Sequence, residues 1–263
     1  MYFCGKTDIG MKRETNQDNF LTVRVCDNVL LLVLCDGMGG TNGGNIASSI
    51  ATRSFADSIE RTVTANMKDN RYEASAVAPE KLLFDAVSDA NTAVFRRARA
   101  NSDLANMGTT IVAALFVDDK MYIANVGDSR IYLVSKKKIT QLTHDHSYVQ
   151  MLVDMGRITK EEAIDNPRKN ILTRAVGIEP AVEADIISSD MPPKGSYLLL
   201  CSDGLYNFIL EEDMKQIVLK KLKTVANDDY ELELDQKTDI LIDTANENGG
   251  GDNITAILTR FTD

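Results

Sequence analysis

The residues of this chain whose type and spacing can do chemistry are aspartates set at the ends of apolar segments. Asp36 closes the run Val29-Leu30-Leu31-Leu32-Val33-Leu34-Cys35 and opens Asp36-Gly37-Met38-Gly39-Gly40. Asp128 follows Met121-Tyr122-Ile123-Ala124-Asn125-Val126-Gly127, and Asp203 follows Tyr197-Leu198-Leu199-Leu200-Cys201-Ser202. Asp252 precedes Asn253-Ile254-Thr255-Ala256-Ile257-Leu258. A single Asp-Gly pair is an ordinary turn former, because Gly takes positive φ and Asp bonds its own turn. A turn does not need this repetition. A strand end is a rigid mount for a short carboxylate, and carboxylates gathered at one edge repel unless cations neutralise them. Mg²⁺ and Mn²⁺ take such oxygen ligands. The pattern predicts a carboxylate-metal enzyme.

Other motifs bear on the same chemistry. The glycine cluster from Asp36 to Gly44 lacks a G-x-G-x-x-G in a βαβ setting and the Lys of a P-loop, which disfavours nucleotide binding. Glycines there let the backbone approach a metal, with a carbonyl as a possible ligand. Arg13, in Gly10-Met11-Lys12-Arg13-Glu14-Thr15-Asn16-Gln17-Asp18, is either a solvated surface residue or a bidentate phosphate ligand beside the acidic Asp18. His144 and His146 form no zinc pattern and fit a role in orienting a loop or capping a helix.

The elements that must position these residues are legible in the periodicity. Residues 20–25 alternate, and Asp27-Asn28 turns them into the apolar run 29–35. Further strands are predicted at 109–117, 121–126, 131–134, 182–187, 196–201 and 253–261. The runs 29–35 and 197–201 are apolar on both faces and belong in central, doubly covered strands. Helices are predicted at 44–59, 80–100, 211–222 and 235–246, and residues 64–78 read as a loop. Paired strands interrupted by long helices fit an α+β class. The expected architecture is two packed antiparallel sheets with helices on their outer faces.

Composition sets the remaining bounds. The 263 residues, 44% hydrophobic, have no Pro, Gly or Ser-rich linker and are expected to form a single domain over 1–263. A formal net charge of -10 argues against a nucleic-acid binder. Cys4, Cys26, Cys35 and Cys201 form no C-x-x-C pair and read as buried, reduced thiols of a cytoplasmic protein, with a redox switch at Cys35 or Cys201 as the alternative. The opening Met1-Tyr2-Phe3-Cys4-Gly5-Lys6 has no apolar core, and the run 29–35 is too short to span a bilayer, so no membrane association is expected.

Taken in order, these residues resemble the metal-dependent PP2C (PPM) family of protein serine/threonine phosphatases in its bacterial form. The matching segments are Asp8-Ile9-Gly10 through Asn19, Asp36-Gly37-Met38-Gly39-Gly40, Met107-Gly108-Thr109-Thr110 and Val126-Gly127-Asp128-Ser129-Arg130. They continue through Gln141-Leu142-Thr143-His144-Asp145-His146-Ser147, Leu172-Thr173-Arg174-Ala175-Val176-Gly177, Cys201-Ser202-Asp203-Gly204-Leu205 and Gly250-Gly251-Asp252-Asn253. The resemblance implies a four-layer α-β-β-α sandwich and hydrolysis of phosphoserine and phosphothreonine on proteins by a metal-activated water. It implies that Asp36 bridges two Mn²⁺ or Mg²⁺ ions and that the Gly37 carbonyl binds one. Asp203 and Asp252 are implied to complete the second ion's shell, with Asp18 reaching it directly or through water. Asp128, with Asp203, is implied in a third, weaker site, and Arg13 in holding the substrate phosphate. Arg13 and Asp36 are thus the implied catalytic residues. The segment from His146 to about Pro167 corresponds to the family's mobile flap. The implied partners are phosphorylated proteins and an opposing serine/threonine kinase, with the enzyme itself a monomer.

The chain departs from the family pattern at Thr41 and Asn166, where His is common, at Asn45, often Glu, and at Gln17, where Glu is frequent. These leave the general acid open and remove no core metal ligand. A non-catalytic scaffold of the same fold would lack Asp36, Asp203 or Asp252, and all three are present. A sporulation-type phosphatase of the same fold would usually depart from Arg13 and from Asp128-Ser129-Arg130.

Overall fold

An uninterrupted apolar run must be covered on both sides, and residues 29–35 set the architecture accordingly. The computed structural model describes residues 1–222, 225 and 228–262, with the side chains of Thr41 and Asn42 outside the described set. Along the chain come β1 (Tyr2–Asp8), β2 (Asp18–Cys26), β3 (Val29–Met38), α1 (Gly40–Ala65), β4 (Met67–Lys68), β5 (Arg71–Tyr72) and α2 (Pro79–Ala100). After a 3-10 turn at Ser102–Leu104 follow β6 (Gly108–Thr109), β7 (Ile111–Val117), β8 (Lys120–Val126), β9 (Arg130–Val134) and β10 (Ile139–Gln141). Then come α3 (Tyr148–Asp154), α4 (Lys160–Ile164), β11 (Asp185–Asp190), β12 (Tyr197–Cys201), α5 (Asp203–Tyr206), α6 (Glu211–Leu219), α7 (Tyr230–Glu247) and β13 (Ile254–Arg260).

The strands other than β4 and β5 form two antiparallel sheets, β1-β13-β12-β9-β10 and β11-β8-β7-β3-β2, with β6 paired to the end of β3. Alternate side chains of β3 enter different layers. Leu30, Leu32 and Leu34 meet Ile131, Leu198, Leu200 and Ile257 of the other sheet. Leu31, Val33 and Cys35 meet Phe55, Ile59, Leu83 and Val87 of α1 and α2. On the far side, Tyr132, Leu199 and Leu258 meet Leu205, Met214, Leu234 and Leu241 of the C-terminal helices. The expected α-β-β-α layering is therefore observed.

Differences from the predicted elements have local causes. The helix predicted at 44–59 extends to Gly40–Ala65, and that at 235–246 starts at Tyr230, where Asp229 accepts a hydrogen bond from Leu232 N. The helix predicted at 211–222 ends at Leu219. The strand predicted at 182–187 runs instead over Asp185–Asp190, where it pairs with β8. The loop expected at 64–78 contains the hairpin β4–β5, turned by Asp69 and Asn70 at φ 49° and 58°. Such a turn favours Asn and Asp at positive φ. β1 is polar enough to hide its pairing with β13, which runs in register from Tyr2↔Arg260 to Asp8↔Ile254.

Candidate active site

Antiparallel pairing puts the end of one strand beside the start of the next, and this gathers the aspartates. Asp18 opens β2 directly opposite Asp36 of β3. Asp203 follows β12 and Asp252 precedes β13, and these two strands are neighbours. Asp128 follows β8, two strands from β3 in the same sheet. The result is a pocket of about 730 Å³ lined by Arg13, Asp36, Gly37, Asp128, Asp203 and Asp252. Asp18, 7% exposed, lies behind it. Every site residue predicted from the sequence is thus brought to one edge of the sandwich.

Each is held by its neighbours. The Asp36 amide donates to Thr110 Oγ1 at 2.9 Å, and its carbonyl accepts from Thr110 N and Thr109 Oγ1, each at 2.8 Å. Thr110 Oγ1 is in turn 2.8 Å from Ser129 Oγ. β3 runs past Asp36 because Gly37 and Met38 pair with Thr109 and Gly108. A Cβ on Gly37 would stand 2.1 Å from the Gly44 carbonyl oxygen, so only glycine fits. Asp18 Oδ2 accepts from Ser202 Oγ at 2.7 Å and Thr255 Oγ1 at 2.6 Å. Asp252 Oδ1 accepts from Asn253 N at 2.8 Å, and Oδ2 accepts from Arg13 Nη2 at 2.7 Å. Asp203 opens α5, where a Cβ on Gly204 would meet the Asn253 carbonyl oxygen at 2.0 Å. The Asp128 carbonyl accepts from Tyr206 OH at 3.1 Å.

The electrostatics are those of crowded, buried negative charge. Burial, with the Asp203 and Asp252 charges added, pushes Asp18 up to about 7 despite its two hydroxyl donors. Burial and the Asp252 charge push Asp203 up to about 6. Burial, then the surrounding carboxylates, holds Asp36 and Asp128 well above the usual range. Asp18 Oδ1 and Asp203 Oδ1 are buried oxygens with no hydrogen-bond partner. Orphaned buried acceptors among mutually repelling carboxylates, with a backbone carbonyl alongside, fit hard divalent cations. Among the described residues no three His, Cys, Asp or Glu side chains close into a ready-made cage. The carboxylates line an open pocket, with Asp252 turned to Arg13.

The structure also names supporting residues that sequence reasoning passed over. Asn253 accepts from Gln17 N at 2.8 Å and donates to the carbonyls of Ile9 and Thr15 at 2.9 and 3.0 Å, pinning the loop that carries Arg13. Gln17 Nε2 donates to the Gly40 carbonyl at 2.7 Å, a bond that the Glu frequent in the family cannot donate. Ser202 and Asn253 each adjoin a predicted ligand, a signal that was present. Thr255 could be found only from register. Both histidines stand apart from the pocket lining. His146 is buried, with Nδ1 accepting from Gly127 N, and His144 Nε2 lies 2.8 Å from Asp154 Oδ2. Asn166 turns its side chain to Arg168 N, and the Thr41 side chain lies outside the described residues. Cys35 and Cys201 are fully buried with thiols pushed up by burial, Cys35 to about 12, which disfavours a redox switch.

Comparison with known proteins gives a consistent picture. A family model described as protein phosphatase 2C matches residues 8–237. The serine/threonine phosphatase Stp of Listeria monocytogenes is 39% identical over 255 residues, covering 97% of this chain and 94% of its own. The crystal structure of serine/threonine phosphatase Stp1 from Staphylococcus aureus matches with a TM-score of 0.85 at 33% identity, over 99% of this chain and 95% of that one. The catalytic domain of the serine/threonine phosphatase PstP, in complex with two manganese ions, matches with a TM-score of 0.81 at 29% identity, over 100% of this chain and 98% of that one.

Proposed function

The chain belongs to the protein phosphatase 2C family and is a metal-dependent protein serine/threonine phosphatase, and we propose how its own residues divide the work. Asp36, Asp203, Asp252 and Asp18, with the Gly37 carbonyl, hold two Mn²⁺ or Mg²⁺ ions. Asp128 and Asp203 hold a third, weaker one. The observation that carries this reading is the pair of buried oxygens, Asp18 Oδ1 and Asp203 Oδ1, left without partners among carboxylates raised by burial. When bound, the ions supply Lewis acidity to water and to the phosphoryl oxygens.

The remaining chemistry belongs to positioning and charge. Hydrolysis forms a bond from a water oxygen to phosphorus as the bond to the serine or threonine oxygen breaks, and the leaving oxygen gains a proton. Arg13, its side chain half exposed at the pocket mouth, binds the phosphate oxygens and offsets their charge. Ser202 and Thr255 fix the Asp18 carboxylate, while Thr110 fixes the backbone of Asp36. No cysteine or serine nucleophile is needed.

We further propose a single catalytic domain over 1–263, monomeric and cytoplasmic, acting on phosphorylated proteins and opposing a serine/threonine kinase. The acidic net charge of -10 supports a protein substrate over nucleic acid. No helix among the described residues is long and apolar enough to cross a membrane. Calorimetric titration of Mn²⁺ into chelator-stripped protein, beside turnover of a phosphothreonine peptide, tests the site. Binding that survives Asp36→Asn, or turnover in excess EDTA, overturns it.

A further inference from the structure

Beside the metal pocket lies a second cavity of about 380 Å³, and the two share Asp128, Asn170 and Asp203 in their linings. Its walls come from separate parts of the chain. One is the segment 147–170, with Val149 and Val153 of α3 and Ile164 of α4. The other is the turn between α5 and α6, Phe208-Ile209-Leu210. No residue of α4 is buried, and Ile164 and Leu210 are 62% and 72% exposed. Part of the polar lining, at the inner wall, is paired internally. Arg130 bonds Asp145 through Nε and Nη2 and stacks 3.7 Å over the Tyr206 ring, and Gln141 Nε2 donates to the same carboxylate at 2.7 Å. The other charged lining residues, Lys160, Lys169 and Glu211 beside Asp128 and Asp203, are of both signs and select no one ionic ligand, whereas the open apolar walls offer burial.

We propose that this cavity is a substrate-docking subsite that takes one apolar side chain, such as Leu, Ile, Met or Phe, from the phosphoprotein segment flanking the phosphorylated residue. The proposal rests on the reading of the neighbouring pocket as the phosphatase centre. Continuity of the two linings at Asp128, Asn170 and Asp203 argues for that occupant, because a substrate chain leaving the metal pocket on this side enters the cavity directly. An extended chain advances roughly 3.3–3.6 Å per residue, so the docked side chain lies within a few positions of the phosphate. Exposed Ile164 and Leu210 are then covered by substrate. The subsite makes the enzyme selective for phosphorylated segments with an apolar residue at a fixed offset on one side.

The test uses nonapeptides with a central phosphothreonine in a Gly/Ser/Ala background, with a leucine moved through every flanking position. Full burial of such a side chain corresponds to about a ten- to hundredfold gain in kcat/KM. Leucine at one or two offsets on one side is expected to give that gain. The doubly substituted protein I164D/L210D is expected to lose it, with a fall on the leucine peptide at least tenfold greater than its fall on p-nitrophenyl phosphate. A flat leucine profile, a preference that survives in the variant, or equal falls on both substrates overturns the proposal. Anisotropy of a fluorescent leucine phosphopeptide with the Asp36→Asn protein reads docking without turnover. Absence of manganese-dependent turnover would thus sink the catalytic reading alone, and equal affinity for leucine and glycine peptides would sink the docking subsite.

Discussion

Arg13 Nη2 lies 2.7 Å from Asp252 Oδ2, so the residue proposed to grip phosphate and a residue proposed to hold metal neutralise each other across the pocket mouth. The contact spans 239 positions in sequence and exists because Asn253, adjacent to Asp252, also holds the 9–17 loop. The Asp252 hydrogen bond is the first cause of a raised Arg13 pKa, so the guanidinium stays charged. Metal binding at Asp252 and phosphate binding at Arg13 therefore draw on the same contact.

Arg13→Ala should raise KM for a phosphopeptide and lower kcat/KM by about ten- to hundredfold, the equivalent of roughly 1.5–3 kcal/mol for a charged hydrogen bond. Steady-state kinetics at saturating Mn²⁺ measure it. Unchanged constants would return Arg13 to a surface role whose partner is only Asp252.

Stability of the metal-free protein should fall as pH rises. Asp18 and Asp203 are raised to about 7 and about 6, against about 3.9 for an unfolded aspartate. The folded state then holds protons that the unfolded state releases, and unfolding gains from rising pH. Their stabilising contribution is complete below pH ~4 and is lost as pH rises through 6 and 7. Melting in EDTA between pH 5 and 8 should show Tm falling, and saturating Mn²⁺ should remove the slope. A flat metal-free profile would show that these carboxylates do not repel as described.

Asp128→Ala should keep the fold, because what Tyr206 bonds is the backbone carbonyl of this residue and not its side chain. Removing one buried like charge should leave the EDTA-treated protein at least as stable. Turnover of phosphoprotein should fall and require more Mn²⁺ for half-maximal rate. Normal kcat with a lowered Tm would assign Asp128 to its own turn instead.

Asn253→Ala removes three hydrogen bonds from a residue that is 4% exposed. At about 1 kcal/mol each, with carbonyls of the 9–17 loop left short of donors, the loss should be about 2–4 kcal/mol. Urea unfolding measures it. Arg13 depends on that loop, so KM should rise as well. Loss of stability with unaltered KM would show that the loop holds Arg13 without this clamp.

The chemistry and most of the framework were legible in the order of residues alone. Asp36, Asp128, Asp203 and Asp252 could be recognised because each adjoins a long apolar strand, and the two-sided apolar runs in β3 and β12 required central strands covered on both faces. β1, the hairpin β4–β5 and α4 were not legible: β1 is an edge strand of mixed polarity, β4 and β5 have two residues each, and α4 buries nothing. How the ligands are supported came from the folded arrangement. Asp18 is held by Ser202 and Thr255, and Arg13 meets Asp252, through separations of 184, 237 and 239 positions. Such contacts follow from strand register and loop closure. Periodicity carries a residue's face and its place at a strand end, but it does not carry which distant strand lies beside it.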